Sequence, residues 1–428
     1  MQTLTNATIL TVDEQDHFYP DGRIWIENGR IAAVGPAETL PERGEVVDLG
    51  GGLVLPGLIN THTHSHSSLF RNQADDLALM DWLKKAMWPM EKFLSPERAY
   101  AATALSCLEY LRGGITTYAD QFYYADTIAE AARRSGLRCF LAATVFTDPS
   151  PETADTFGAA EAFVERWKGR EEETRVYPCI GPHAPYSVSG ELFQKVTELS
   201  EKYDLLVHTH ISETEDENAQ LRTSTGLSPT QWLERLGVFE RPVLAAHSIH
   251  LGDTDLDIYQ KHGVHVTYNP VSNMKLASGA APVAQLLTAG VNVALGTDGM
   301  SSNDNHSMFE EMKLAALLAR VTSLDPLALR DDTVLKMATV NGARAQGRHA
   351  GVMAAGYQAD LILVDLRAPN LQPCHDVKSN LIYAANASNV CMNMARGTII
   401  YENGNFLTLD LDEILREVER YAVPKLFS

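Results

Sequence analysis

The chain has 428 residues, 45% of them hydrophobic, enough to build a barrel-sized core with a smaller unit beside it. Its 35 lysines and arginines stand against 55 aspartates and glutamates, and a formal charge of −20 opposes binding to nucleic acid or an anionic membrane and suits a protein that handles small molecules. The five scattered cysteines, Cys107, Cys139, Cys179, Cys374 and Cys391, form no Cys-x-x-Cys pair, which excludes a zinc ribbon and points to reduced thiols rather than a disulfide frame.

The opening residues, MQTLTNATILTVDEQD, carry neither a basic leader nor a long apolar run. No stretch reaches the roughly 18 apolar residues of a membrane span, so a cytoplasmic protein is expected. Residues 1–56 alternate β-branched runs with turn residues, as in Thr8-Ile9-Leu10-Thr11-Val12 and Arg23-Ile24-Trp25-Ile26, with Asn28-Gly29 as a hairpin signal. The other end reads alike. Leu361-Ile362-Leu363-Val364 and Thr398-Ile399-Ile400-Tyr401 flank turn residues, and an amphipathic helix is predicted over 410–422. The two ends, 1–56 and 351–428, are expected to pair into one composite β-sandwich domain, with 57–350 as a continuous insert.

Within that insert short apolar strands alternate with helical patterns. Strands are predicted at 57–62, 114–119, 137–145, 176–183, 205–211, 242–248, 264–269 and 291–297. Helices are predicted at 95–112, 125–135, 190–203, 229–236 and 308–320. Eight strands with intervening helices describe a (β/α)8 TIM barrel of the α/β class. A doubly wound open sheet competes, but no Gly-x-Gly-x-x-Gly follows the first strand.

Active-site groups of such a barrel sit at the C-terminal ends of its strands. Those ends carry His62 and His64 (first strand), His183 (fourth), His210 with Glu213 beyond it (fifth), His247 (sixth), Asn269 (seventh) and Asp298 (eighth). Side chains two apart on a strand share a face, so the His62-Thr63-His64 pair presents two imidazoles side by side. His210 lies one pleat nearer the barrel mouth than His208, which is expected to be a hydrogen-bonded packing residue. Together His62, His64, His210 and Asp298 offer nitrogen and oxygen ligands for one divalent ion, with room for water. No thiol belongs to the set, unlike the His/Cys/Cys zinc site of nucleobase deaminases.

The segments PGLINTHTH, GPHAPYSVS, HTHISETEDE, NPVSNMKLASG and ALGTDGMSSND resemble the amidohydrolase superfamily, and within it the 5′-methylthioadenosine/S-adenosylhomocysteine deaminase group and the neighbouring s-triazine hydrolases. The similarity runs over essentially the whole chain. It implies a hydrolytic aminohydrolase with a single metal ion, zinc or alternatively iron. Pro182-His183-Ala184 stands where two-metal relatives carry a lysine, which favours one ion. The resemblance further implies that Asp298 serves as ligand and general base, Glu213 as the acid that protonates a ring nitrogen, and His247 as a partner of the attacking hydroxide. By the same resemblance His183 contacts the substrate, Glu91 pairs with ribose hydroxyls, and the protein is a homo-oligomer. The apolar stretch 77–88 is expected to wall the ligand site. Residues 143–160 contain no lysine or arginine, so an uncharged 5′ group is expected on a nucleoside substrate. An adenine nucleoside is the first expectation, with guanine, a pterin or an s-triazine as the alternative substrates.

Overall fold

The computed structural model describes residues 1–422; the last six residues of the 351–428 segment lie outside the described residues. The insert forms the parallel strands β1 (Leu58–His64), β2 (Ile115–Phe122), β3 (Arg138–Val145), β4 (Val176–Pro182), β5 (Val207–Ile211), β6 (Val243–His247), β7 (His265–Tyr268) and β8 (Asn292–Leu295). Each pairs with its sequence neighbours, as right-handed βαβ units dictate. The intervening helices include Pro96–Arg112, Ala125–Ser135, Gly190–Tyr203, Pro229–Arg235 and Met308–Ser323. Ser95, Ser189, Ser228 and Ser307 cap four of them by accepting a backbone N–H, the local chemistry that sets those starts.

Closure of the barrel runs through a gap in the ladder. Beyond β8, Asp298–Gly299 pairs in parallel with Thr63 and His64 of β1. The gap at Gly296-Thr297 is bridged by side chains. Asn60 Nδ2 donates to Thr297 Oγ1 (2.8 Å), Thr297 N to Asn60 Oδ1 (3.0 Å), and Thr61 Oγ1 to the Leu295 carbonyl (2.8 Å). A Cβ at Gly296 would lie 2.6 Å from Asn269 Oδ1 and 2.8 Å from His62 N, so only glycine lets β1 and β8 approach here.

The two ends of the chain meet in a second sheet. Its order is Asn405–Phe406, Thr398–Glu402, Val390–Ala395, Leu361–Val364, Leu53–Pro56, Gln2–Leu10, Phe18–Glu27 and Arg30–Pro36. It branches at Gln2–Leu10, whose first half also pairs in parallel with Glu45–Asp48. The expected composite β domain is thus built on one continuous branched path of strands, whose two halves share a core of Ile24, Ile26, Leu361 and Met394. Asn28 and Gly29 both take positive φ in the hairpin turn that their sequence predicts, as do Asn403 and Gly404. Period-two alternation sorts two cores: Leu53, Leu55, Ile362 and Val364 face the barrel, whereas Val54 and Leu361 pack with Leu4, Ile24 and Met394 in a small separate core. Both faces of these central strands are buried, which is why they read as unbroken apolar runs.

A buried ion pair ties the sheet to the barrel. The Arg138 guanidinium at the start of β3 binds the Asp360 carboxylate and Gln358 Oε1 (3.0 Å), with Arg138 and Asp360 only 2% and 3% exposed. Asp360 Oδ1 also accepts Arg396 N (2.8 Å). Arg138→Met leaves that carboxylate buried without its cation and is expected to cost about 3–5 kcal/mol, read as a lowered urea midpoint; a loss below about 1 kcal/mol would show that the pair is dispensable. No helix among the described residues is long and apolar enough to cross a membrane.

Candidate active site

The C-terminal mouth of the barrel brings His62, His64, His183, His210, Glu213, His247 and Asp298 together around one cleft. His62 ends on a fully buried strand and His64 one pleat above it, their rings 4.8 Å apart. The ligating atoms of His62, His64 and His210 lie within 4.8 Å of one another, and so do those of His62, His247 and Asp298. Asp298, His247 and Ser212 all take left-handed φ (60°, 71° and 52°), so the strand ends are strained where they aim side chains inward.

The outer ring nitrogens are all engaged. His64 Nδ1 donates to the Gln121 carbonyl (2.7 Å), His210 Nδ1 to the His183 carbonyl (2.7 Å), and His247 Nδ1 to Asn273 Oδ1 (2.9 Å). His62 Nδ1 meets Nε2 of His208 (2.8 Å), which lies one pleat deeper on β5. Backbone carbonyls only accept, so in the neutral imidazole each Nε2 of His64 and His210 carries a lone pair, and the two face each other across 3.3 Å. His62 Nε2 is buried without a hydrogen-bond partner among the described residues, and Asp298 Oδ1 stands 3.5 Å from it and 3.4 Å from His64 Nε2.

Electrostatics sharpen the picture. Burial pushes His62 down to about 4 and His210 well below its usual value, so both are neutral at pH 7. Burial would raise the Asp298 carboxyl, but His62, with His64 and His247 near it, outweighs this and holds the group well below the usual carboxylate range. Ser272 Oγ (2.5 Å) and Ser302 Oγ (3.0 Å) donate to its Oδ2, and Gly299 N (2.7 Å) to its Oδ1. Converging ring nitrogens and one carboxylate fit a divalent cation bound by nitrogen and oxygen donors.

Glu213, 4% exposed, lies across the mouth with Oε2 3.7 Å from His247 Nε2. Burial and then the Asp298 charge raise its pKa well above the ordinary value, which favours the protonated acid. Its main-chain N–H donates to Glu217 Oε2 (2.8 Å). Of the acidic run after β5, Glu215 and Asp216 are exposed helix-start residues capped by Thr214, whereas Glu217 turns inward. His183 stacks on Phe146 (4.5 Å, 26°) and bonds Ser187 Oγ through Nδ1 (2.8 Å).

The cleft offers about 680 Å³ of space, part of it open to solvent. Its outer wall is the segment Leu79–Trp82, Leu83–Met87 and Trp88–Glu91, whose middle turn is a π-helix. Trp82, Leu83, Met87 and Trp88 line the cleft, as the apolar run predicted. Glu91 lies at the end of this segment, hydrogen-bonded to Tyr123, and burial pushes its carboxyl up to about 8. Its folded pKa therefore exceeds its unfolded one. Folded chains keep a proton that unfolded chains release between about pH 4.5 and 8, and stability falls as pH rises across that window. Glu91→Gln is expected to flatten this dependence by up to about 1.4 kcal/mol per pH unit, measured as urea midpoints from pH 5 to 8. Parallel curves for the two proteins would contradict it.

Sequence reasoning left several residues here without a role. Ser272, Ser302, Asn273 and Glu217 stood inside recognised segments, but no periodicity tells which of adjacent polar side chains turns inward. His66 also lines the cleft, although the strand ends at His64 and a 3-10 turn, Ser65–Phe70, takes over.

The fold and the donor set define a parallel-barrel hydrolase built around one divalent ion. Residues 53–400 match the amidohydrolase family. A 5-methylthioadenosine/S-adenosylhomocysteine deaminase of Pelotomaculum thermopropionicum is 41% identical over 98% of each chain. A 5′-deoxyadenosine deaminase of Methanosarcina mazei is 40% identical over 98% of this chain and 97% of its own. A crystal structure of an adenosine deaminase from Xanthomonas campestris with bound zinc superposes with a TM-score of 0.94 at 33% identity, covering 98% of this chain and 97% of that one. The chain belongs to the amidohydrolase family.

Proposed function

We propose that the protein is a zinc-dependent hydrolytic deaminase of an adenine nucleoside, releasing ammonia and the corresponding inosine analogue. The observation that carries this reading is the convergence of the His62, His64 and His210 imidazoles and the Asp298 carboxylate, with the buried Glu213 carboxyl across the cleft. The full-length similarity to deaminases of adenine nucleosides supports it.

In this reading His62, His64, His210 and Asp298 hold the ion, which lowers the pKa of a water at the site towards neutrality. Asp298 takes a proton from that water and passes it to the departing amine, which leaves as ammonia. Ser272 and Ser302 keep the carboxylate aimed while it does so. Glu213 gives its proton to the ring nitrogen beside the attacked carbon, making that carbon electrophilic, and takes back the one left on the new oxygen. His247, its Nδ1–H committed to Asn273, presents Nε2 as an acceptor for the attacking water. His183 and Phe146 face the bound base, and Glu91 accepts from the ribose hydroxyls. Trp82, Leu83 and Met87 exclude bulk water.

An ammonia-release screen of zinc-loaded protein against adenosine, its 5′-modified analogues, guanine, pterins and triazines tests the reading. Turnover of adenine nucleosides, abolished by chelation and restored by zinc, is the expected result; turnover confined to the other heterocycles would refute it. Within the nucleosides a preference follows. Among the described residues, those lining the cleft include Glu91, Glu213 and Asp298 but no lysine or arginine. A carboxylate on the 5′ substituent therefore meets no cation there. 5′-Methylthioadenosine is expected to exceed S-adenosylhomocysteine in kcat/KM by about 10–100-fold, the worth of one missing charge-assisted hydrogen bond. Equal values would show that a cation reaches the 5′ group.

A further inference from the structure

His66 is 1% exposed and lines the cleft, yet neither Nδ1 nor Nε2 has a hydrogen-bond partner among the described residues. A neutral imidazole in either tautomer carries one donor and one acceptor, and leaving such a buried group unsatisfied costs about 1–3 kcal/mol. The ring is packed where it stands. It stacks on Phe122 with 11° between the planes, and both chain neighbours are pinned. Ser65 N donates to Asp120 Oδ1 (3.1 Å) and the Ser65 carbonyl accepts Ser106 Oγ (2.7 Å). On the other side Ser67 Oγ donates to the His64 carbonyl (2.5 Å) and accepts Met300 N (2.7 Å). An imidazole held rigidly in a cleft with its polar atoms unspent is preorganised for a ligand.

We infer that His66 hydrogen-bonds the heterocycle of the bound substrate and so helps determine which bases the cleft accepts. The inference rests on the nucleoside deaminase reading and deepens it. The His66 ring centroid is 6.1 Å from that of His64, one side chain away from the point where the reacting carbon must sit. Glu213 approaches from β5, on the opposite side of the mouth, and takes the ring nitrogen beside that carbon. His66, reaching in from the β1 side, is left to meet another ring nitrogen of the purine, to which its N–H donates.

Phenylalanine keeps the stack on Phe122 and removes both polar atoms, so His66→Phe is the test, with His66→Ala carrying the same comparison should Phe not be accommodated. Wild type and variant are compared on 5′-methylthioadenosine and its 3-deaza and 7-deaza analogues; the intrinsic reactivity of each analogue cancels between the two proteins. The expected result is a 10–100-fold loss of kcat/KM on the parent nucleoside with zinc content and Tm retained. One of the two deaza substitutions, costly for wild type, becomes nearly neutral in the variant. Unchanged kcat/KM in the variant would overturn the inference, as would a loss that leaves both deaza penalties intact. Wild-type protein that releases no ammonia from any adenine nucleoside would instead bring down the deaminase reading beneath it.

Discussion

Asp298→Asn is expected to lower kcat by a factor on the order of 10³ or more, the upper part of the range for losing a positioned base. The substitution keeps the size of the side chain and, with the amide oxygen in the Oδ2 position, keeps the acceptor for Ser272 and Ser302; the Gly299 N–H alone loses its partner, so the local fold should persist. It removes the charge that faces His62 and His64 and the only group among these donors able to carry a proton from water to the amine. Turnover at saturating zinc, together with metal content and Tm, separates the two losses. A variant that binds zinc and turns over within tenfold of wild type would exclude Asp298 as the base.

Glu213→Gln is expected to lower kcat by about 10²–10⁴-fold while leaving zinc content unchanged. Glutamine can still donate a hydrogen bond to the ring nitrogen but cannot deliver a proton. The pH profile supplies a second reading. Glu213 acts as an acid, and its pKa is raised by burial and by Asp298, so activity should persist through neutrality and fall as pH climbs through that raised pKa. Asp298 acts as a base held below the usual range, so activity should be lost only at low pH. In Glu213→Gln the basic limb should disappear with the proton that caused it. A variant that retains the full basic limb would assign it to another group.

The support around these two carboxyls explains why single changes at a distance should also register. His210 is oriented by the His183 carbonyl just beyond β4, His64 by a carbonyl of β2, and His247 by a side chain from the helix Pro270–Lys275. Each contact joins a different βα unit to the ion site, so the site is rigid only when the barrel is closed. The side-chain stitches of Asn60 and Thr61 across the gap at Gly296-Thr297 belong to the same requirement, since they hold Asp298 beside His64.

Much of this was legible in the chain. Period-two alternation put His62 and His64 on one face without reference to any other strand, and short strands separated by helical patterns specified a barrel whose strand ends would carry the chemistry. Asn28-Gly29 announced its hairpin, and the apolar runs at both ends announced strands buried on two faces. These signals are local, written in the conformational preferences of neighbouring residues.

Tertiary structure alone decided the rest. Which nitrogen of each histidine faces the ion depends on a carbonyl or amide brought from another strand. Whether Glu217 or Glu215 turns inward depends on where the helix after β5 begins, and His66 reaches the cleft only because a turn replaces the strand. The titration of Asp298, Glu213 and Glu91 follows the same logic. Desolvation and neighbouring charges act through space, over distances of a few ångströms that link residues hundreds of positions apart, and no spacing along the chain encodes them.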